Sequence, residues 1–419
     1  MWHKFPTYKF LVSQHLLGLW CLVAWAYSAT ALLLSHHLNV GYPMVRFLAG
    51  ESDRFRDFIV QLSNGSGIQS LTFNGFEILR GGFPGGAILY YHLGPSVGLS
   101  VNQGIFVYQV VVLALLAVGL YVCFDSILAK VAVALSFPVF FGLFRGNNDV
   151  VVFALYLIGM GLCKRGEARL GFVSKWLGQL IEPNFLLFEI IRSTSRRLLF
   201  AGFVLFAGVT ALTNLLAPTF RSPIKVLWSS VQFSLTQGPQ SANFLLTHNI
   251  GLVAGIEAWF QLIYQPTSMQ GSVFRVQALS VLVVVLSLLV LIHAIRTTSL
   301  TDADRLLLIT CLLVLTPTLS YWYRSIWLLI PLGYLLDKGS RNEISRYDLA
   351  QAAIIMMTVV PKNWLVFESS GTSSSYYEST LIDPFLILAL LIVTLVRYQH
   401  KSSPCLQRIK PVGIRRLKA

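Results

Sequence analysis

The sequence predicts an all-α protein that crosses a membrane many times, through about 10–12 helices. Hydrophobic residues make up 55% of its 419 residues and the mean hydropathy is +0.66, whereas soluble domains are about 45–50% apolar. Only 12% of the residues are charged. Many apolar segments approach the roughly 20 residues that span a bilayer. We therefore predict one membrane domain over residues 1–397 and a basic tail over residues 398–419.

The net charge of +14 is typical of a membrane protein whose Lys and Arg residues lie in cytoplasmic loops. The tail has no acidic residue, which favours attraction to anionic lipid head groups. Aromatic residues do not interleave the tail as single-strand binding requires, so we expect no nucleic acid partner. Lys4 and Lys9 before the first segment predict a cytoplasmic N-terminus.

The first segment has no small-residue cleavage pattern and is predicted to be a retained helix rather than a removed signal peptide. The loop after it, residues 35–101, is long and predicted to lie outside, with an interfacial piece at residues 58–62. The next segments are separated by short polar turns. The first four predicted helices cover residues 10–34, 103–124, 127–144 and 150–163.

Residues 171–191 are long enough to cross the membrane, but Lys175 and the Glu182–Pro183 pair interrupt them. Basic clusters flank this stretch on both sides, which favours two short helices that return to the cytoplasmic side. The remaining predicted crossings cover residues 198–216, 274–295, 306–319, 325–336, 349–360 and 381–396. An amphipathic piece is expected at residues 251–264, within a mostly outer stretch. These segments give 10 full crossings, or 12 hydrophobic helices if the interrupted stretch counts as two. Both termini are then predicted to be cytoplasmic.

Five polar clusters fall on the predicted outer side. Residues 51–57 hold three carboxylates and two arginines in the loop after the first helix. The other four clusters are residues 145–149, 247–249, 320–324 and 370–378. Because polar and ionisable groups at membrane helix ends usually mark a site, we predict that these clusters line one non-cytoplasmic cavity.

For several residues of these clusters, a purely structural role is also possible. The 145–149 cluster is also a tight turn in which Asn148 and Asp149 would cap the next helix. Arg145 is not needed for such a turn, and its guanidinium is a preferred partner of phosphate. His248 alone is more typical of a structural histidine. The aromatic run around Tyr323 is also typical of a membrane-interface belt.

The 144–155 run, FRGNNDVVVFAL, resembles the RGN segment of membrane glycosyltransferases of the GT-C class, in particular glycosyltransferase family 87. Further elements follow in the family's order. Thr247-His248-Asn249 looks like its HNxSL element, and residues 317–323 look like its P…SWxHY element. Asp57-Phe58 lies where the family has an Asp-Phe pair, and Phe83-Pro84 where it has a YPP turn. Two departures are Glu182, where the family has Lys, and Tyr323 in place of His.

The resemblance implies a GT-C-like bundle that transfers a hexose, in this family mannose, from a polyprenyl-phosphate sugar to a glycolipid or glycan acceptor. An acid of the first outer loop would be the general base, with Asp57 preferred over Asp53. The implied substrate-binding residues are Arg145, Asn147, His248, Asn249, Tyr323 and Arg324. No metal or other cofactor is expected, and the implied location is a bacterial inner membrane. A transporter or flippase of a lipid-linked sugar and a non-catalytic scaffold are the alternatives.

Overall fold

The structure is a computed structural model that describes residues 100–181, 249–264, 269–296, 302–316, 322–341, 343–360, 366–369 and 374–402, two short strands before them and a few isolated positions. Helices dominate these residues. We number them α1 (Val101–Cys123), α2 (Ile127–Ala134), α3 (Phe137–Arg145), α4 (Asn148–Lys164), α5 (Ala168–Ile181), α6 (Leu252–Tyr264), α7 (Met269–Arg296), α8 (Asp302–Leu315), α9 (Leu329–Ser340), α10 (Arg346–Val359) and α11 (Glu378–Ser402). A 3-10 helix, Trp322–Leu328, leads into α9.

Among the described residues, three helices are long and apolar enough to cross a membrane, over Asn102–Cys123 in α1, Phe274–His293 in α7 and Ser379–Arg397 in α11. The chain is therefore a helical membrane protein. Exposed Val, Leu and Phe side chains on α1 and α7 supply the apolar surface that lipid tails would cover. All three helices fall on predicted segments, and α11 continues to Ser402, into the predicted tail.

Helices α1 and α4 lie side by side and run in the same direction. Near their starts, the Tyr108 hydroxyl donates to the Asn147 carbonyl oxygen over 2.9 Å. Near their ends, a Cβ on Gly161 would lie 2.5 Å from the backbone carbon of Val122. A glycine here lets the two backbones approach closely, as small residues do in membrane helix pairs.

The return path between α1 and α4 differs from the prediction of one helix over residues 127–144. The chain forms α2, breaks at Leu135 and Ser136, and continues as α3 with Pro138 in its first turn. Proline lacks the N–H that would continue α2, and it is well tolerated at a helix start. The Ser-Phe-Pro sequence therefore ends one helix and begins the next.

Lys175 does not interrupt its segment, which corrects the predicted break at this position. It lies inside α5, buried, and its side chain packs on Gly159 of α4. The aliphatic stem of a lysine can pack in this way when the neighbour has no side chain. Residues 182–199 lie outside the described part, so the predicted Glu182–Pro183 break is not covered.

Helix α6 corresponds to the predicted amphipathic piece, and its polar side faces the protein. Glu257 and Gln261 are buried, whereas Trp259, Ile263 and Tyr264 are exposed. This arrangement is inverted relative to a helix on a soluble protein, as expected where the outer surface meets lipid. The Trp259 indole nitrogen donates to the Leu381 carbonyl oxygen over 2.8 Å, which fixes α6 against the start of α11.

Two short antiparallel hairpins are exceptions to the predicted all-α fold. Strands β1 (Leu71–Phe73) and β2 (Phe76–Ile78) pair within the predicted first outer loop. Strands β3 (Val366–Ser369) and β4 (Ser374–Tyr377) pair immediately before α11. Apart from these, one apolar core runs through α1–α4, the 3-10 helix and α8–α11.

Candidate functional site

The α3–α4 junction is the part of the predicted RGN motif that the structure describes in detail. Arg145 is the last residue of α3, and Gly146 adopts φ 66°, in the left-handed region that favours glycine. The Asn147 N–H donates to the Gly142 carbonyl oxygen over 2.9 Å, closing the end of α3. One glycine therefore suffices to reverse the chain between two helices.

Asn147 caps α4, a role that the sequence analysis gave to Asn148 and Asp149. Its Oδ1 accepts from the Asp149 N–H over 2.7 Å, as an N-cap asparagine does. The Asp149 carboxylate instead accepts from the Trp327 indole nitrogen over 3.1 Å. The cap is therefore one residue earlier than predicted, and Asp149 serves a long-range contact.

Trp327 joins the junction to the 3-10 helix, which carries Tyr323 and Arg324. The fully buried Trp327 ring also packs edge-on against Phe153 and Tyr156 of α4. Arg324 is half-buried in the same short helix. The predicted 145–149 cluster thus contacts the 3-10 helix that contains Tyr323 and Arg324, although Asp149 and Trp327 lie 178 positions apart in sequence.

Asn249 precedes α6 and is almost fully buried. Its Oδ1 accepts from the Gly251 N–H over 2.9 Å, so this side chain helps to form the turn into the helix. The predicted site residues Asp53, Asp57 and His248 lie outside the described residues.

A buried ion pair on α6 and α7 was missed by the sequence analysis. Glu257 is fully buried and accepts from Arg275 Nη2 over 2.9 Å, from Arg275 Nε over 3.3 Å and from Gln261 Nε2 over 3.1 Å. The Arg275 guanidinium also lies 4.0 Å from the centre of the Phe260 ring. The available signal was a Glu and a Gln four residues apart in an otherwise apolar helix.

The opposite end of the bundle, which we call the charged end, gathers ionic residues from several helix ends. Asp337 is buried at the end of α9, and its carboxylate accepts from the backbone N–H groups of Asp125 and Ser126 over 2.8–3.2 Å. These bonds fix the turn before α2, whose own cap is the Ser126 hydroxyl, which accepts from the Leu128 N–H. Lys164, at the end of α4, pairs with Asp125 over 2.6 Å. This hydrogen bond from Lys164 is the main cause that lowers the pKa of Asp125.

Asp348 is the centre of the second half of the charged end. It lies 2.6 Å from Lys338 Nζ and 2.8 Å from Arg397 Nη1. The same Arg397 nitrogen lies 3.2 Å from Asp304 and 3.1 Å from the Gln351 oxygen. Burial acts to raise the pKa of Asp348, but hydrogen bonds from Lys338 and Ser345 and the charge of Arg397 lower it overall. We call Lys338, Asp348, Arg397 and Asp304 the clamp.

The charged end unites segments that the sequence analysis placed on a single side of the membrane. The loops around residues 125, 164, 304 and 338, together with residue 397, were all predicted to be cytoplasmic. No group of three or more His, Cys, Asp or Glu side chains among the described residues could hold a metal ion. Comparison with protein-family models, curated proteins and solved structures gives no significant match, so the resemblance to family 87 stays a prediction.

Proposed function

We propose that this protein is a polyprenyl-phosphate-dependent hexosyltransferase with its active site at the end of the bundle that holds the α3–α4 junction. In this proposal it transfers a hexose, mannose by the resemblance, to a glycolipid or glycan acceptor. The site faces the non-cytoplasmic side of a bacterial inner membrane. The chain crosses that membrane about ten times, with both termini in the cytoplasm.

One observation carries most weight. The motif around Asn147 lies against the 3-10 helix that carries Tyr323 and Arg324, through the 3.1 Å contact of Asp149 with Trp327. Two motifs that served only as separate turns would have no reason to meet. A GT-C site assembled from helix ends would need this proximity.

The chemistry suits the residue types at this end. A carboxylate of the first outer loop, Asp57 or Asp53, takes the proton of the acceptor hydroxyl as that oxygen attacks the anomeric carbon. The bond from that carbon to the phosphate oxygen breaks, and the polyprenyl phosphate leaves with its negative charge. Arg145 and Arg324 are the candidate donors that stabilise the leaving phosphate. The lipid tail of the donor stays in the bilayer, so no nucleotide site is required.

The test uses membranes that contain the protein and a labelled polyprenyl-phosphate mannose. Asp57→Asn should abolish transfer to the membrane acceptors, because an amide cannot accept the proton. Glu167→Gln is the matched control, since Glu167 is an exposed acid before α5, beside the charged end. Its activity should equal that of the wild type, with equal amounts of protein in each membrane.

The outcomes separate the alternatives. If Asp53→Asn abolishes transfer and Asp57→Asn does not, Asp53 is the base. Full activity in both variants would contradict an enzyme with an outer-loop base. A wild type that moves the labelled lipid between leaflets of a reconstituted vesicle without transferring the sugar would indicate a flippase.

A further inference from the structure

The charged end contains a cavity that the proposed reaction does not use. Its volume is about 330 Å³, and it lies between α8, α9, α10 and the end of α11. This volume is at the small end of ligand sites, which measure roughly 300–1,000 Å³. It suits a compact polar group and is too small for a whole lipid or a nucleotide sugar.

The cavity has a charged wall and an apolar wall. The charged wall consists of Asp304, Lys338, Arg341, Glu343, Asp348 and Arg397. The apolar wall includes Leu307, Pro331 and Leu335. A ligand that fills this space would meet both charged and apolar side chains.

Arg397 is a buried cation whose guanidinium makes its contacts with the described residues through one nitrogen only. Only 8% of the residue is exposed. Its contacts with Asp304, Asp348 and Gln351 all run through Nη1. Its Nε and Nη2 donate to no other group among the described residues. A guanidinium can bind two oxygens in parallel through its Nε and Nη2 edge, and the carboxylates of the clamp leave this edge available.

Arg341 stands at the mouth of the cavity, and about half of its side chain is exposed. Its nearest carboxylates are Asp125 at 3.8 Å and Glu343 at 3.7 Å. Both distances exceed hydrogen-bond length. Arg341 can therefore turn towards an anion without breaking a hydrogen bond to either acid.

The cavity also lies at the membrane boundary, whichever side it faces. Arg397 is the last residue of the apolar span Ser379–Arg397. Phospholipid phosphates occupy this level, next to the ends of the hydrocarbon tails. Leu307 and Leu335 of the apolar wall are buried among the helices, whereas the half-exposed Arg341 would lie at the level of the head groups.

We propose that this cavity binds the phosphate group of a membrane phospholipid, held by Arg341 and by the Nε and Nη2 edge of Arg397. The glycerol and the first carbons of the tails lie along the apolar wall. Lys338 keeps its bond to Asp348 and orients the clamp. This site is separate from the proposed active site, because it lies at the other end of the bundle.

The test measures phospholipid binding by native mass spectrometry of the purified protein in detergent. Phosphatidylglycerol and phosphatidylethanolamine are titrated into the wild type, Arg341→Gln and Arg346→Gln. Arg346 is the matched control, since it is exposed at the same end and does not line the cavity. Both changes remove one positive charge, so a general attraction to anionic lipid weakens equally.

We expect one tightly bound phospholipid in the wild type and in Arg346→Gln, and affinity at least about tenfold weaker in Arg341→Gln, as for a lost charge-assisted hydrogen bond. Equal affinity in the two variants would overturn the proposal. Inorganic phosphate in millimolar excess should not displace the lipid. If it does, the cavity recognises free phosphate and the lipid assignment is wrong. A thermal unfolding scan of each variant shows that the protein is folded.

Discussion

The buried carboxylate of Asp348 contacts several groups from other parts of the charged end. It accepts from Lys338 over 2.6 Å and from the Ser345 N–H over 2.7 Å, and it forms an ion pair with Arg397 over 2.8 Å. Ser345 in turn caps α10 through a reciprocal bond from the Asp348 N–H over 3.2 Å. One buried side chain therefore both starts a helix and holds the ends of two others.

Asp348→Asn should destabilise the protein by about 1–3 kcal/mol, because the buried Arg397 and the partly exposed Lys338 would face a neutral group. The pKa of Asp348 is lowered from its ordinary value of 3.8. Its contribution is therefore fully present above pH 3.8 and is lost as the pH falls through the lower native-state pKa. Unfolding temperatures in detergent, measured from about pH 7 down to pH 3, check both points.

The difference in unfolding temperature between the wild type and Asp348→Asn should stay constant near neutral pH and should narrow only below pH 3.8. Glu343→Gln is the control, since Glu343 is exposed and makes only a 3.7 Å pair with Arg341. A variant as stable as the wild type at neutral pH would show that the clamp contributes little.

Individual contacts were the least predictable from the sequence. The turn at 145–149 was recognised from its Gly and Asn residues, yet the cap fell on Asn147. The bond between Asp149 and Trp327 joins residues 178 positions apart, and no local pattern specifies such a pair. The clamp was not predicted, because Lys and Arg residues in the predicted cytoplasmic loops were attributed to the orientation of the helices in the membrane.

At the scale of elements, the lengths of the apolar segments predicted the positions of most of the described helices. Helices α1, α4 and α10 begin within three residues of the predicted segments. The sequence did not show which apolar runs contain a break, because hydropathy does not distinguish one helix from two short ones. Pro138 was the missed signal for α2 and α3. Hairpin β3–β4 was missed as well, since its aromatic residues were assigned to a polar outer run.

The contact of α1 with α4 depends on Gly161. Gly161→Ala should destabilise the protein by about 1–3 kcal/mol, because the added methyl would overlap the Val122 backbone. Gly339→Ala is the matched control: its Cβ would meet only the Ile344 Cδ1 atom, at 3.7 Å. Thermal unfolding in detergent measures the difference. Equal loss in the two variants would show that the close approach of the helices is unimportant.

At the scale of the whole molecule, two ends with different chemistry emerge. The charged end holds the clamp, Asp337 and Lys164, and the other end holds the α3–α4 junction with the 3-10 helix. The sequence predicted this separation by charge alone, since basic residues were counted on one side and polar clusters on the other. It could not predict which clusters touch, because that depends on how the helices pack.

The proposed sidedness gives a test on intact cells. In a cysteine-free background, Ser100→Cys and Ser370→Cys should react with a membrane-impermeant thiol reagent, because both positions are proposed to face outwards. Ser195→Cys should react only after the membrane is permeabilised. A reactive position 195 in intact cells, or an inert position 100, would contradict the proposed topology.

The clamp also has a consequence for biosynthesis. Asp304, Lys338 and Asp348 are synthesised well before Arg397, and Arg397 is the group that links the two acids. Until the last helix has been made and inserted, Asp304 lacks this cation and Asp348 has only Lys338. An incomplete chain would therefore lack the cation that Asp304 and Asp348 share, so these contacts of α8 and α10 with α11 form only after α11 has been made.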